Sequence, residues 1–252
     1  MPLYNSVSFT YGDELDIGIE DILDDESATI GVLLTAGVKS SWETQEGIRQ
    51  TGDIQGQGDG TSIVIRGNDK TFKSTSNNVT TYLMAVAGIE TDTAELKYTG
   101  MYIHKGTKEA RTIQGYDTSD SGNVREDFTE FFERELTNHQ LNYNYIFQND
   151  MELDVRLAGG DASRYAPYER VVFYEDTDDR GYWQYDVNTG RNQTQFSYVD
   201  DSNENFGIDF TFPLQFGEQE VTIKTGFDQT NNYRDAQVRS YRLLAEGGPI
   251  PT

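Results

Sequence analysis

Apolar and polar residues alternate one by one along several stretches of this chain, which is the pattern of a β-strand with one apolar side. The clearest stretch is 205–214, where Gly, Asp, Thr and Pro separate five apolar side chains: Phe206, Ile208, Phe210, Phe212 and Leu214. A second alternating stretch, 221–228, follows after a short connection that contains glycine. We predict an antiparallel hairpin in which Phe212 lies opposite Ile223. This register places the apolar residues on one face and sets Thr211 opposite Lys224.

A second hairpin of the same kind turns near residue 149, between the alternating stretches 140–147 and 151–157. Pairing its apolar residues on one face sets Asn142 opposite Arg156 on the other. The same register sets Asn144 opposite Asp154. The sequence therefore predicts an apolar face and a polar, hydrogen-bonding face for this hairpin as well.

Two further hairpins turn near residues 91 and 25. In the first of these, the stretch 81–87 is apolar on both sides, so its orientation stays open. In the other, the alternating stretch 7–11 either precedes the first strand or is continuous with it through Gly12. Together the four hairpins predict about eight or nine antiparallel strands.

The connections between the hairpins are long and polar, at 39–77, 106–130, 159–203 and from residue 231 onward. Short turns at one end of a sheet and long loops at the other are typical of outer-membrane β-barrels. A nine-residue strand at about 3.3 Å per residue, tilted by about 40°, covers roughly 22 Å of a ~25 Å apolar band. The predicted fold is therefore all-β: an antiparallel up-and-down transmembrane β-barrel with short periplasmic turns and long extracellular loops.

A soluble β-sandwich or β-helix is the alternative, because its strands also alternate. The apolar faces favour the barrel, since they are rich in tyrosine and phenylalanine rather than in valine, isoleucine and leucine alone. Six aromatic residues of these faces are expected to point outward, some of them near strand ends where an aromatic girdle would lie: Tyr98, Tyr102, Tyr143, Tyr145, Phe210 and Phe212.

Composition excludes several classes of protein. The chain has 43 acidic and 20 basic residues and a formal charge of -23, which argues against a nucleic-acid partner. It has no cysteine, so thiol chemistry, disulfides and cysteine-ligated metals are excluded. No apolar run approaches the roughly 18–20 residues of a membrane helix. No Ser-His-Asp arrangement or phosphate-binding glycine loop is evident, so we expect no enzyme, no catalytic residue, no cofactor and no metal.

Several stretches resemble the barrel of TonB-dependent outer-membrane receptors. They are 133–145, 162–170, 209–214, 232–236 and 239–243. The resemblance covers about residues 78–252 well and the first 77 more loosely. It implies a Gram-negative outer-membrane protein with an N-terminal plug domain, a TonB-coupling box and a 22-stranded barrel. Members of this family import siderophores, cobalamin, sugars or other scarce solutes.

The chain departs from that family pattern, since it shows no signal peptide, no plug domain and too few strands. We therefore expect residues 1–252 to be a single β-barrel region, a fragment of a larger barrel, that forms an open sheet on its own. The expected partners are outer-membrane lipid, a small-molecule ligand and, through the missing N-terminal region, the TonB complex. The alternative function is a structural or adhesive one, as a small self-closed outer-membrane barrel or a soluble β-domain with acidic, calcium-binding loops.

Ligand-binding residues are expected among the aromatic side chains of one long loop, because aromatic loops grip siderophores and sugars. The candidates are Tyr165, Tyr168, Tyr182, Trp183 and Tyr185; packing of loops against one another would explain them equally well. His104 and His139 would together contact a ferric ligand or, as the simpler interpretation, are interfacial residues.

Two charged groups have structural rather than functional interpretations. The segment 176–181 has calcium-loop spacing, but Arg180 occupies a position where an oxygen ligand is needed, so we interpret the segment as a solvated acidic loop. Arg164, Glu169 and Arg170 are expected to form a structural ion-pair cluster on the barrel wall.

Overall fold

The computed structural model describes residues 3–18, 27–57, 60–176, 181–186, 190–217 and 219–243. They contain one antiparallel sheet of nine strands, in the order β1-β2-β3-β4-β5-β6-β8-β9, with β7 paired to β6. The strands are β1 (Leu3–Gly18), β2 (Ser27–Gln57), β3 (Gly60–Thr91), β4 (Ala94–Asp117), β5 (Gly122–Ile146), β6 (Glu152–Asp176), β7 (Gln184–Tyr185), β8 (Gln193–Phe216) and β9 (Gln219–Arg242). The all-β, up-and-down antiparallel architecture is thus confirmed.

The predicted registers are confirmed at the hairpins with clear alternation. Phe212 lies opposite Ile223 and Thr211 opposite Lys224, while Asn142 lies opposite Arg156 and Asn144 opposite Asp154. We call the face that carries Phe212 and Ile223 the front face, and the face that carries Thr211 and Lys224 the back face. Because side chains alternate along every strand and register partners share a face, these definitions extend across the whole sheet.

The two orientations that the sequence left open are defined by the neighbouring strands. Leu83 lies opposite Tyr102 and Ala36, so it belongs to the front face, and Tyr82 therefore belongs to the back face. The stretch 7–11 is continuous with the first strand, because β1 runs without interruption from Leu3 to Gly18.

Tight turns join the strands at the end that we call proximal. In the β5–β6 turn, the Asp150 backbone N–H donates to the Phe147 carbonyl at 2.9 Å, and Asp150 has a φ of 57°. Gly217, between β8 and β9, has a φ of 66°, in the left-handed region that glycine adopts without strain. The predicted turn near residue 25 lies outside the described residues.

The predicted long loops are wrong over most of their length, because the strands continue through them. β2 reaches Gln57 and β3 begins at Gly60, β4 ends at Asp117 and β5 begins at Gly122, and β9 extends to Arg242. These segments carry polar residues on both faces and only scattered apolar ones, so they show no regular alternation. The backbone ladder still holds them as strands, with cross-strand side-chain bonds such as that between the Thr44 and Thr75 hydroxyls at 3.0 Å.

The sheet contains two irregularities in register. One lies in β6, where the pairing with β5 shifts between Phe131 and Glu133. Pro167 lies at this point, and since proline has no backbone N–H to give to a ladder, a bulge is the position where a strand tolerates it. The other lies between Gln50 and Gly52 of β2, where the Thr51 hydroxyl accepts a hydrogen bond from the Asn68 backbone N–H at 2.9 Å.

The described part of the chain forms a single layer, so it has almost no core. Only four of its apolar residues are buried: Ala28, Val124, Ala166 and Phe173. Within the described ranges β1 and β9 are not paired with each other, and the sheet is open at both edges. Apolar side chains of the front face are therefore exposed unless something else covers them.

Candidate functional site

A continuous apolar surface covers the proximal half of the front face. We call it the belt, and on the eight long strands it includes Phe9 and Tyr11, Val32 and Leu34, Leu83 and Ala85, Leu96 and Tyr98, Leu141 and Tyr143, Val155 and Leu157, Ile208 and Phe210, and Ile223 and Phe227. Many of these side chains are exposed; Phe9 retains 59% of its accessible surface and Phe227 56%. The six aromatic residues predicted to share an outward face all lie on the front face.

On the three adjacent strands β6, β8 and β9 the belt ends at a similar level. On β9 the front-face series Val221, Ile223 and Phe227 gives way to Gln229 and Asn231, and on β8 Phe206 gives way to Glu204 and Ser202. On β6 Leu157 is followed by Gly159 and Asp161. We call the strand segments behind the belt the proximal half of the sheet and the segments beyond it the distal half.

On β5, β6, β8 and β9 the back face of the proximal half is polar and bonded across strands, whereas on β2, β3 and β4 it also carries apolar residues such as Leu33, Val86 and Met101. The Arg156 guanidinium donates to the Asp209 carboxylate at 2.6 Å, and the Asn144 amide donates to Asp154 at 2.9 Å. The Asn205 amide donates to Asp228 at 3.1 Å and to the Thr230 hydroxyl at 2.9 Å. These polar side chains therefore suit contact with water, in contrast to the belt on the opposite face of the same strands.

Small residues leave an open space on the back face close to the turns. Gly31 lies opposite Gly88 and next to Glu14, and together with Gly12 they leave a depression of about 620 Å³. Glu90, Glu95 and Lys97 line its rim. The depression can therefore accept a polar group.

The five aromatic ligand-binding candidates are not gathered into one pocket. Tyr165 and Tyr168 lie on the front face of β6, opposite Glu133 and Phe131 of β5, and both are exposed. Tyr182 and Trp183 belong to the connection between β6 and β8 and are also exposed.

Tyr185, the fifth candidate, lies in β7, where its ring packs edge-on against Tyr174 at a centroid distance of 6.2 Å. Burial raises the pKa of Tyr185, and Tyr174 and Asp186 add to the increase against the opposing charge of Arg170. Tyr185 thus makes the loop-packing contact that was the alternative to ligand binding.

The two histidines lie on the front face but not at one point. His139 lies opposite Gly100 and accepts or donates a hydrogen bond at 2.7 Å between its Nδ1 and the Tyr98 hydroxyl. His104 lies four residues further along β4, with its Nε2 3.8 Å from a Glu133 carboxylate oxygen. Four residues of strand span about 13 Å, so the two imidazoles do not meet on one ion.

The segment 176–181 is not simply a solvated acidic loop. The Asp176 side chain is buried, and its carboxylate accepts a hydrogen bond from the Gly181 backbone N–H at 3.1 Å. Residues 177–180 lie outside the described residues. No group of three His, Cys, Asp or Glu side chains suited to a metal ion occurs in the part of the chain that the structure describes.

The expected ion-pair cluster of Arg164, Glu169 and Arg170 does not form among the described residues. The Arg164 guanidinium instead donates to the Ser197 hydroxyl at 2.8 Å and lies 5.1 Å from the centre of the Phe132 ring. The bulge at Pro167 explains the separation, because it leaves Glu169 opposite Glu130 rather than beside an arginine.

Buried polar contacts in the distal half centre on Asn192, which has no exposed surface. Its side-chain carbonyl accepts a hydrogen bond from the Phe173 backbone N–H at 2.6 Å, and its amide donates to the Asp186 carbonyl at 2.5 Å. Its own backbone carbonyl accepts from the Leu243 N–H at 3.0 Å. Asn192 therefore joins the β6–β8 connection to β6 and to the end of β9.

Arg191 fixes the same connection to a distant turn. Its guanidinium binds both carboxylate oxygens of Asp120, which follows β4, and lies 4.1 Å from the centre of the Phe173 ring. Phe173 is a back-face residue, opposite Glu126. The connection therefore packs over the distal back face.

Several carboxylates on this distal back face have no basic residue directly opposite them. Glu130 of β5 lies between Glu109 of β4 and Glu169 of β6 in the register of the sheet. Burial raises the pKa of Glu130, and the charges of Glu109 and Glu169 raise it further against the opposing Arg164 and Arg111. Burial likewise raises the pKa of Glu175, with Asp186 and Asp120 adding to the effect.

Asp117, at the end of β4, shows the opposite shift. Burial raises the pKa of its carboxyl group, but hydrogen bonds from the Lys70 ammonium and the Ser119 backbone N–H outweigh burial, so the pKa lies below its ordinary value. The Lys70 nitrogen lies 2.6 Å from the Asp117 carboxylate, and both side chains are largely buried.

Sequence reasoning missed these distal residues, although one signal was present. That signal is the β4–β5 register: if the pairing of Tyr98 with Leu141 is continued along both strands, Glu109 lies opposite Glu130. Asn192, Arg191 and Asp120 carry no comparable signal, because 71 positions separate the arginine from its carboxylate partner.

No protein-family model matches the chain, and no curated protein matches it. Among the described residues no helix is long and apolar enough to cross a membrane.

Proposed function

We propose that this chain is a wall segment of an outer-membrane transport barrel, with the belt in contact with lipid and the back face in contact with water. The observation that carries the proposal is the belt itself. A single-layer sheet cannot bury its own apolar face, and an exposed apolar surface that crosses eight strands needs a cover.

The dimensions of the belt favour lipid as that cover. On β8 it extends from Phe206 to Leu214, nine residues that span roughly 22 Å when the strand is tilted by about 40°. An outer-membrane barrel carries an apolar band of ~25 Å. A protein partner would not require the belt to end at a similar level on the neighbouring strands β6, β8 and β9.

Uptake of a scarce solute is the function that we assign to the wall. The segments that resemble TonB-dependent receptors support it, and so do strands of 24 and 25 residues such as β4 and β5. A membrane crossing needs only about 9–11 residues, so the remaining residues of each strand form a tall distal wall in which a siderophore, cobalamin or carbohydrate would be captured. The exposed Tyr182 and Trp183 belong to the connection that packs over the distal back face, so they are the residues that we expect to contact the solute. Tyr165 and Tyr168 lie on the front face, which this proposal turns away from the interior.

Cell fractionation tests the membrane part of the proposal. The chain is expected to sediment with the outer membrane of a Gram-negative cell and to require detergent for release. Recovery of a soluble monomer from the same cells without detergent would refute the proposal.

Uptake measurements test the transport part. Deleting the gene is expected to abolish energy-dependent accumulation of one labelled solute among a ferric siderophore, cobalamin and a maltodextrin. The intact gene supplied on a plasmid should restore accumulation, and a protonophore should abolish it. Unchanged accumulation of all three solute classes would refute this choice of substrates.

A self-closed barrel of this chain alone is the second candidate, favoured by the even number of long strands. β1 runs toward the proximal turns and β9 runs away from them, so the two edges would meet antiparallel. In that arrangement Glu14 and Lys224, both on the proximal back face, are suited to lie opposite each other. A disulfide within one chain of the double variant Glu14→Cys/Lys224→Cys would support self-closure, whereas failure to cross-link would favour pairing with further strands.

A further inference from the structure

Three acidic side chains lie side by side across the distal back face, which is unfavourable without a compensating feature. Glu109, Glu130 and Glu169 are direct register partners on three adjacent strands. Side chains that are directly opposite in an antiparallel sheet have Cβ atoms about 4.5–5.5 Å apart, and like charges there are destabilising. All three side chains are partly buried, whereas Lys108 and Tyr168, their neighbours on the front face, are exposed.

The charged groups around Glu130 do not neutralise the row. On β4, Arg111 approaches Glu109 at 3.5 Å but lies over the Phe128 ring at 4.5 Å, and its Nε is buried without a partner. On β6, Arg164 lies over the Phe132 ring and donates to Ser197.

On β5 itself, the nearest charged residues of the back face are Glu126 and Arg134, four positions away on either side of Glu130. Arg134 lies 4.8 Å from the centre of the Phe132 ring. The two cations that approach the row from neighbouring strands therefore leave it with an excess negative charge.

Two phenylalanines flank Glu130 along the strand direction and make its surroundings more apolar. Phe128 and Phe132 precede and follow Glu130 on the back face of β5, and each lies beneath a guanidinium. An apolar environment disfavours an ionised carboxylate, and adjacent carboxylates disfavour it further. The apolar environment and the adjacent carboxylates therefore both favour the protonated form of Glu130.

We propose that Glu109, Glu130 and Glu169 form a proton-binding row that stabilises the distal halves of β4, β5 and β6 when a proton is bound and destabilises them when it is released. The proton comes from water and returns to it, and no other bond changes. The protonated carboxyl group has an O–H to donate to a neighbouring carboxylate. The row makes the distal wall sensitive to pH, and this inference holds whether or not the chain transports a solute.

The direction of the effect follows from the raised pKa of Glu130. A group that binds its proton more tightly in the folded chain than in the unfolded one stabilises the fold fully below its unfolded pKa, about 4.3 for glutamate. That stabilisation is lost as the pH rises through the folded pKa. The distal parts of β4, β5 and β6 should therefore loosen as the pH increases from about 4.5 toward neutrality.

Amide hydrogen exchange in the full chain, corrected for the intrinsic effect of pH, measures this loosening. Protection of the amides at 128–132 is expected to fall severalfold between about pH 4.5 and 7.5, in the direction that the raised pKa of Glu130 dictates. In Glu130→Gln, which cannot ionise, that dependence should disappear. Glu126→Gln is the matched control: it lies on the same strand and face, but its register partners are Ile113 and Phe173, so the dependence should persist.

A side-chain NMR titration tests the row without relying on the folding of Glu130→Gln. The titration midpoint of Glu130 is expected above the ordinary glutamate range and should fall in Glu109→Gln, while burial and Glu169 still hold it above that range. An ordinary midpoint in the unaltered chain would overturn the proposal. Equal pH dependence of protection in the unaltered chain and in Glu130→Gln would overturn it as well.

Discussion

In the proximal half of the sheet the front face is apolar and exposed. In the distal half the front face is mostly polar with scattered exposed residues such as Tyr165 and Tyr233, and most of the buried residues lie on the back face. The same strands build both halves: β6 passes from Val155 and Leu157 in the belt to Phe173, which is 5% exposed, beneath the β6–β8 connection. The apolar side chains of the proximal half are exposed to whatever surrounds the sheet, whereas the buried side chains of the distal half are covered by other parts of the chain. One long strand can therefore have an exposed apolar segment at one end and a buried segment at the other.

An arginine in the belt should produce the largest effect. Ile223→Arg is expected to lower the free energy of unfolding in a lipid bilayer by about 2–4 kcal/mol, because the proposed lipid contact of the belt would place the new charge in hydrocarbon. Denaturant titration of the chain folded into vesicles measures the change. Asn231→Arg, on the same strand and face but beyond the belt, is the matched control and should cost about 0–1 kcal/mol. Equal costs at the two positions would remove the distinction between the halves.

Removing the side chain of Asn192 should loosen the distal half alone. Asn192→Ala leaves the Phe173 N–H and the Asp186 carbonyl without its hydrogen bonds, which is expected to cost about 2 kcal/mol. Hydrogen exchange at Phe173 and Asp186 should accelerate, while amides behind the belt keep their rates. Asn232→Ala, at an exposed position of β9, provides the control. Faster exchange throughout the sheet would show that the two halves unfold as one unit.

The Lys70–Asp117 pair should respond to acid in the direction opposite to the carboxylate row. The lowered pKa of Asp117 stabilises the fold above the ordinary aspartate range, and this stabilisation is lost as the pH falls through the folded pKa. Lys70→Met is expected to cost about 1–2 kcal/mol at neutral pH and progressively less in acid. Thermal unfolding at a series of pH values measures this cost. Lys73→Met is the control, because it removes the exposed ion pair between Lys73 and Glu46. A cost that is independent of pH would contradict the assignment.

The smallest change is expected on the proximal back face. Arg156 and Asp209 are partly exposed, so Arg156→Gln should cost about 0.2–1 kcal/mol and less at high salt. Unfolding at low and high ionic strength measures both quantities. A large cost that salt does not change would mean that this face is shielded from water.

The registers of the proximal hairpins could be predicted from sequence because one face is apolar. A slip of one residue would have moved Phe212 and Ile223 to the other side, and the alternation excludes that. The distal strands could not be predicted in this way. Around Gln45 and Lys73 both faces are polar, so the sequence reads as a loop although the backbone ladder continues.

The distal contacts depend on details that periodicity does not contain. One bulge at Pro167 decides that Glu169, rather than Tyr168, lies opposite Glu130. The aromatic candidates illustrate the same limit, since composition gathers Tyr165 and Tyr182 into one loop, whereas the fold places the first on a strand and the second on a connection.

A single-cysteine scan along β9 tests the central claim most directly, because the chain has no cysteine of its own. Each variant from Ile223 to Tyr233 carries an environment-sensitive fluorophore and is measured in vesicles with and without a spin-labelled lipid quencher. Lipid contact predicts strong quenching at Ile223 and Phe227, none at Lys224 and Asp228, and none on either face beyond Asn231. Absence of quenching at Ile223 and Phe227, or equal quenching at neighbouring positions, would contradict a lipid-facing belt.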